Sequence, residues 1–178
     1  MTLRAVIFGL DGVLIKEGDS DLPAHLITQL RQLFDFLRTN DVEPIILANR
    51  DWIVKDDKTN TSRPIDYLLQ ERYGEHHLYV TTRLHLPPKP KRAAVDAILK
   101  RHNLSNEEAI YIGNSFMDFR TAINSHLLFL NVTWEREEVS YGFTFSSPKE
   151  VGRFIDVVGL KEHHWFYEID CRTLGFEA

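Results

Sequence analysis

The chain has 178 residues, of which 43% are hydrophobic and 26% charged, the balance of a globular protein that can bury a core. Its formal net charge of −5 argues against a broad nucleic-acid interface, and its apolar runs are too short to cross a bilayer. A single cysteine, Cys171, excludes an internal disulfide and a cysteine-based zinc site. The first residues carry no signal-like segment, so we expect a cytoplasmic protein.

Short apolar runs alternate with helical repeats along the chain. Residues 3–8 are apolar almost throughout, which predicts a strand buried on both faces of a parallel sheet. A turn at 9–12 follows, and then an apolar stripe at helical spacing that begins near Pro23 and ends at Asn40. The alternation continues, with further strands predicted over 44–48, 78–80, 109–112 and 127–130, and further helices over 64–73, 91–102, 116–124 and 148–158.

This order predicts an α/β protein, a three-layer, doubly wound, Rossmann-like fold around a mainly parallel sheet. Two segments interrupt the alternation. Residues 51–63 are polar, which indicates an exposed loop or a short hairpin, and residues 161–178 are rich in aromatic side chains. We therefore divide the chain into an α/β domain over 1–160 and an aromatic extension over 161–178, which would form an extra strand or an interface.

In such a sheet, ligands bind beyond the carboxyl ends of the strands, near the point where the strand order reverses. The loops that qualify are 9–14, 48–50, 89–90 and 113–118. Their order and spacing resemble the haloacid dehalogenase (HAD) superfamily of phosphatases and phosphotransferases. The resemblance covers roughly residues 3–155. It implies a HAD-like fold, and the short segments after the first and second loops leave no room for a large cap domain.

The resemblance assigns a role to each loop position, and several required groups are missing. In the family, the first loop carries an aspartate nucleophile, where this chain has Gly9, and a general acid and base, where it keeps Asp11. The second loop carries a hydroxyl that binds the phosphoryl group. This chain has Ala48 there, followed by Asn49. Lys89 matches the phosphate-neutralising lysine.

The fourth loop of the family holds Mg²⁺ with an acidic pair, and the corresponding residues here are Asn114 and Asp118. The resemblance therefore implies at most a weakened Mg²⁺ site, because hard cations need charged oxygens. Each residue also has a structural interpretation. Lys89 could be a solvated loop charge, Asn114 could cap the helix that follows it, and Asp118 could complement the positive end of that helix.

The leading functional hypothesis is a HAD-like domain that has lost phosphohydrolase chemistry and acts as a binding or regulatory module. The reason is that glycine, at the nucleophile position, cannot attack phosphorus. The alternative is an active Mg²⁺-dependent phosphatase with atypical motifs or an engineered nucleophile position. A phosphorylated small molecule or a protein would be the partner, and a homo-oligomer or a further fused domain stays open. Neither nucleic acid nor membrane is expected. Adjacent histidines, at 76–77 and 163–164, rarely aim both rings at one ion and predict no metal site.

Overall fold

The computed structural model describes residues 2–16, 22–51, 53–56, 61–134 and 141–159. In chain order the elements are β1 (Ala5–Gly9), α1 (Ala24–Thr39), β2 (Glu43–Ala48), β3 (Ile53–Asp56), β4 (Thr61–Pro64), α2 (Ile65–Tyr73), β5 (His77–Val80), α3 (Ala93–Arg101), β6 (Ala109–Gly113), α4 (Phe116–Asn124), β7 (Leu128–Val132), β8 (Phe143–Phe145) and α5 (Pro148–Phe154). A 3₁₀ turn precedes β6 at Asn106–Glu108, and α5 continues as a π-helical turn over Ile155–Gly159.

The main sheet has six parallel strands in the order β5-β2-β1-β6-β7-β8. The chain builds outward from β1 to β5 and then crosses to β6 on the other side, so the strand order reverses between β1 and β6. The register places Ile7 of β1 between Ile45 of β2 and Tyr111 of β6. The predicted doubly wound α/β fold is confirmed.

Helices cover both faces of this sheet and make three layers. On one face α1, α2 and α5 pack their apolar sides against β1, and Phe8, Phe34 and Tyr73 stack in series with ring centroids 4.8 and 5.2 Å apart. On the other face α3 and α4 cover a second apolar cluster, in which Ile98 and Ala122 are fully buried. Burial on both sides explains why the central strands are apolar without alternation.

The structure refines several predictions. The polar segment after β2 contains a short antiparallel hairpin, β3–β4, so the hairpin alternative is confirmed. Helix α3 begins at Ala93, two residues later than expected, because Lys91 and Arg92 still belong to the turn after Pro90. Strand β8 was not predicted, although its Phe-Thr-Phe alternation is a recognisable strand signal.

Between β2 and α3 the described residues form the hairpin, α2 and β5, without a cap domain. Within the described ranges, every helix is too short or too polar to traverse a bilayer. The predicted extension over 161–178 lies outside the described residues.

Candidate functional site

The candidate site lies at the carboxyl edge of the sheet, where three neighbouring strands end. Gly9 ends β1, Ala48 ends β2 and Gly113 ends β6. Because the strand order reverses between β1 and β6, the loops after them diverge and leave a crevice between their ends. The cis Lys89–Pro90 peptide lies in the loop that leads to α3.

A buried ion pair occupies this edge. The Nζ atom of Lys89 lies 2.6 Å from Oδ1 of Asp118, and only 9% and 3% of the two side chains are exposed. The Tyr111 hydroxyl donates to the same oxygen at 3.0 Å, and the Ser115 hydroxyl donates to Oδ2 at 2.8 Å. Both oxygens of the Asp118 carboxylate thus have protein donors, as a buried charge requires.

The Asp118 carboxylate also lies against the backbone of Gly9. A Cβ atom built on Gly9 would be 3.1 Å from both carboxylate oxygens, which is closer than an ordinary van der Waals contact. The position that the HAD resemblance assigns to the nucleophile is therefore packed against Asp118. The carboxylate beside this position is that of Asp118, which pairs with Lys89.

Asp11 sits two residues beyond Gly9 in a tight turn. Gly12, at φ +72°, donates from its amide to the Ile15 carbonyl at 2.7 Å, and Asp11 bridges to Ile15. Burial raises the pKa of the Asp11 carboxyl; the charges of Lys89 and Arg50 oppose this rise, whereas Asp118 adds to it. Its Oδ1 atom is buried without a hydrogen-bond partner in the protein. Asp11 is therefore the polar group of this edge that the protein satisfies least.

The second loop holds the lysine loop in place. Asn49 accepts a hydrogen bond from the Lys89 amide through its side-chain Oδ1, at 2.7 Å, and from the Thr81 hydroxyl through its carbonyl, also at 2.7 Å. Ala48 is buried, and its carbonyl accepts from the Thr81 amide at 3.0 Å. The structure thus gives Asn49 a positioning role in addition to the phosphate contact that the resemblance implies.

Asn114 connects the fourth loop to the first. Its side-chain Nδ2 donates to the Gly12 carbonyl at 2.9 Å, and a Cβ on Gly12 would lie 2.0 Å from that nitrogen. The helix cap of α4 is Ser115, whose Oγ accepts from the Asp118 amide at 3.1 Å, so the capping interpretation of Asn114 is wrong. Glycine at position 12 is required both by its positive φ and by this close approach.

The residues at this edge do not fit Mg²⁺. A hard divalent cation needs several anionic or neutral oxygens, and Asp118, the one carboxylate of the fourth-loop pair, is already neutralised by Lys89. Asn114 supplies no charge and directs its amide nitrogen to Gly12. Across the part of the chain that the structure describes, no group of three acidic, histidine or cysteine side chains gathers around Asp11 and Asp118.

Tyr111 and Ser115 complete the site and were not predicted as functional residues. Full burial and the neighbouring Asp118 raise the pKa of the Tyr111 phenol well above its ordinary value, so it remains a hydrogen-bond donor. A hydroxyl within the apolar run of β6 is the signal that could have identified Tyr111. The site therefore includes Gly9, Asp11, Asn49, Lys89, Tyr111, Asn114, Ser115 and Asp118.

Comparison with known proteins gives structural matches only. No sequence-family profile matches the chain, and no curated protein matches it by sequence. The fold matches a HAD-superfamily hydrolase from Geobacter sulfurreducens with a TM-score of 0.57 and 15% identity, over 88% of this chain and 100% of that one. It matches the cobalt-bound deoxy-D-mannose-octulosonate 8-phosphate phosphatase from Haemophilus influenzae with a TM-score of 0.59 and 16% identity, over 86% and 87% of the two chains.

A candidate phosphoglycolate phosphatase from Lactobacillus delbrueckii subsp. bulgaricus also matches, with a TM-score of 0.57 and 17% identity. The match covers 71% of this chain but only 52% of that longer one. At these identities the comparisons establish the fold, and the chain has the fold of the HAD-superfamily hydrolases. They do not extend to the chemistry of individual residues.

Proposed function

We propose that this chain is a HAD-fold domain that does not catalyse phosphoryl transfer and acts as a binding or regulatory module. The observation that carries the proposal is the buried Lys89–Asp118 ion pair packed against Gly9. At this edge no side chain is present at position 9 to act as a nucleophile, and the lysine charge is paired with Asp118.

The nucleophile position of the first loop carries no side chain. The covalent phosphoryl transfer that the HAD resemblance implies needs a carboxylate that can approach phosphorus, and Gly9 supplies none. Asp118 is a poor replacement, because its side chain is 3% exposed and its oxygens accept from Lys89, Tyr111 and Ser115. To attack, Asp118 would have to leave a buried cation unpaired, which is costly in a low-dielectric interior.

The positive charge of Lys89 is not free to meet a phosphate group. Catalysis at a phosphoryl group depends mainly on cations and donors that stabilise its developing negative charge. Lys89 is the cation that the resemblance assigns to this task, and its charge is balanced by Asp118. Ala48 has no hydroxyl to add, so the second and third loops supply neither the hydroxyl donor nor the unpaired lysine that would stabilise a phosphate dianion.

The surface around the site favours a macromolecular partner over a small metabolite. No cap domain encloses the edge within the described residues. At the start of α4, directly after the Asn114 loop, Phe116 and Met117 are 56% and 42% exposed. Exposed apolar side chains beside an open edge are typical of protein contact surfaces.

The proposal is tested by phosphate release from a panel of phosphomonoesters, with and without Mg²⁺. The native protein is compared with Asp11→Asn, purified in the same way, so that a contaminating phosphatase contributes equally to both. We expect no release by the native protein above that of the variant. Mg²⁺-dependent release that the variant lacks would overturn the proposal.

An active phosphatase with unusual residues is the second candidate, and the state of Asp11 favours it. A buried carboxyl with a raised pKa is suited to act as a general acid, and its Oδ1 has no hydrogen-bond partner in the protein that would compete for its proton. The same assay distinguishes the two candidates. If the native protein is inactive, gain of Mg²⁺-dependent release in Gly9→Asp/Asn114→Asp would support the view that an ancestral active site has degenerated.

A further inference from the structure

Three potential metal ligands meet at the amino edge of the sheet, the edge opposite Asp118. Glu43 begins β2, His77 begins β5, and His102 directly follows α3. One ligand atom from each lies within 4.8 Å of the others. The three residues are distant in sequence and are brought together because α3 carries the chain back from the carboxyl edge to the start of the sheet.

His102 is held firmly between two partners. Its Nδ1 atom is in hydrogen-bonding contact with a Glu43 carboxylate oxygen, and its Nε2 atom lies 2.8 Å from the Tyr79 hydroxyl. The His77 ring meets it edge-on, with centroids 4.7 Å apart and an angle of 71° between the planes. Only 8% of the His102 side chain is exposed, whereas 45% of Glu43 is. One ligand is therefore fixed, and a second is accessible to solvent.

A cavity of about 460 Å³ opens beside these residues. Glu43 and His77 line it with the acidic side chains of Asp41 and Glu75, and Arg38 adds one positive charge against these three carboxylates. The cavity gives a cation a path from solvent and leaves room for a water ligand. The acidic side chains favour the approach of a positive ion.

We propose that Glu43, His77 and His102 bind a divalent transition-metal ion of the Zn²⁺ class. Two imidazoles and one carboxylate, completed by water, form an established zinc ligand set, and nitrogen donors select Zn²⁺ over Mg²⁺. Binding through Nδ1 would put the ion in place of the His102 Nδ1 proton that faces Glu43, and in the neutral ring this proton would move through solvent to Nε2. The Nε2–H group would then donate to the Tyr79 hydroxyl, which can donate or accept and so accommodates this tautomer.

The geometry requires small side-chain movements: Glu43 and His102 Nδ1, now in hydrogen-bonding contact, must separate, and the more distant ligand atom must move inward. Zinc bonds of about 2.0 to 2.1 Å in a tetrahedron place the ligand atoms roughly 3.4 Å apart, so the widest gap must close by about 1.4 Å. His77 is exposed and can move by side-chain rotation alone. The bound ion would link β2, β5 and the end of α3. This metal site does not depend on the proposed loss of phosphatase chemistry at the other edge.

The test is calorimetric titration of the chelator-treated full chain with Zn²⁺, with Co²⁺ as a spectroscopic probe. We expect one tightly bound Zn²⁺ per chain, visible Co²⁺ absorption typical of a site with four or five ligands, and no competition by equimolar Mg²⁺. His77→Gln, at an exposed position, should weaken Zn²⁺ binding by about 100-fold, and Glu43→Gln by at least about tenfold.

Two control variants separate this site from other histidines. His25→Gln changes an exposed histidine of α1, and His163→Gln/His164→Gln changes the pair outside the described residues. Both should bind Zn²⁺ as the native chain does. The inference is wrong if His77→Gln binds Zn²⁺ as tightly as the native chain, if binding is lost in the His163→Gln/His164→Gln variant instead, or if the native chain binds none.

Discussion

Asp118 has a different set of contacts from a carboxylate that is free to bind a metal. Lys89 neutralises it, Tyr111 and Ser115 donate to it, and the backbone of Gly9 closes against it. Breaking such a pair is costly, because either partner alone would be a buried unpaired charge. At the scale of single residues, the absence of a side chain at position 9 lets the Asp118 carboxylate lie against the backbone there while it pairs with Lys89.

Restoring a carboxylate at position 9 should therefore destabilise the protein. Gly9→Asp would place a second negative charge beside Asp118, and we expect a loss of about 3 kcal/mol in the free energy of unfolding. Gly9→Asn, of similar size but uncharged, should lose about 1 to 2 kcal/mol. Mg²⁺ should restore part of the stability of Gly9→Asp but not of Gly9→Asn, because two adjacent carboxylates can share the ion. Urea unfolding with and without Mg²⁺ measures both effects. An equal loss of unfolding free energy in the two variants would contradict the prediction.

The raised pKa of the Asp11 carboxyl predicts that the stability of the protein depends on pH. Burial raises its pKa in the folded protein, so the folded state binds more protons than the unfolded state in the range above the unfolded pKa of about 3.9. Its ionisation therefore lowers stability as the pH rises through the folded pKa. Asp11→Asn removes this loss and should be more stable than the native protein at pH 7.

The difference between Asp11→Asn and the native protein should shrink as the pH falls toward about 3, below the unfolded pKa, where the native carboxyl is protonated in both states. Urea unfolding of both proteins across this range measures it. A stability difference that stays constant with pH would show that the ionisation of Asp11 is not the cause.

At the scale of elements, the start of α4 links helix capping to the site. Ser115 caps the helix by accepting from the Asp118 amide, and it also donates to the Asp118 carboxylate. Ser147 caps α5 by accepting from the Glu150 amide, without a buried carboxylate to support. The two serines therefore form a natural comparison.

We expect Ser147→Ala to lower the free energy of unfolding by about 1 kcal/mol, the usual value of a lost cap. Ser115→Ala should lower it by about 2 to 3 kcal/mol, because it also removes a donor from a buried charge. Thermal or urea unfolding of the two variants gives the comparison. If Ser115→Ala lowers the free energy of unfolding no more than Ser147→Ala does, the Ser115 hydroxyl contributes only as a helix cap.

The elements were largely predictable from the sequence, and their contacts were not. Apolar runs and helical stripes predicted the central strands and helices, because burial on two faces leaves a clear pattern. Strand β8 has three residues and was missed. Side-chain directions, which spacing does not determine, decided two contacts. Asn49 holds the Lys89 loop, and Ser115 rather than Asn114 caps α4.

For the whole molecule, the topology decides which residues can act together. The order of parallel strands brings Gly9, Lys89 and Asp118 to the carboxyl edge, and this grouping followed from the sequence once the loops were assigned to strand ends. The grouping of Glu43, His77 and His102 at the amino edge did not, because it depends on the register of β2 with β5 and on where α3 ends. Local sequence patterns can therefore identify the loops at strand ends, whereas the strand register determines which distant residues lie close together.

We propose that neither Asp11 nor Asp118 attacks phosphorus. This is tested most directly by mixing the native protein with acetyl phosphate and Mg²⁺, quenching in acid, and measuring the intact mass and the modified residue. We expect an unmodified chain, equal to that of Asp11→Asn treated in the same way. A Mg²⁺-dependent phosphoryl group on Asp11 or Asp118 would contradict it.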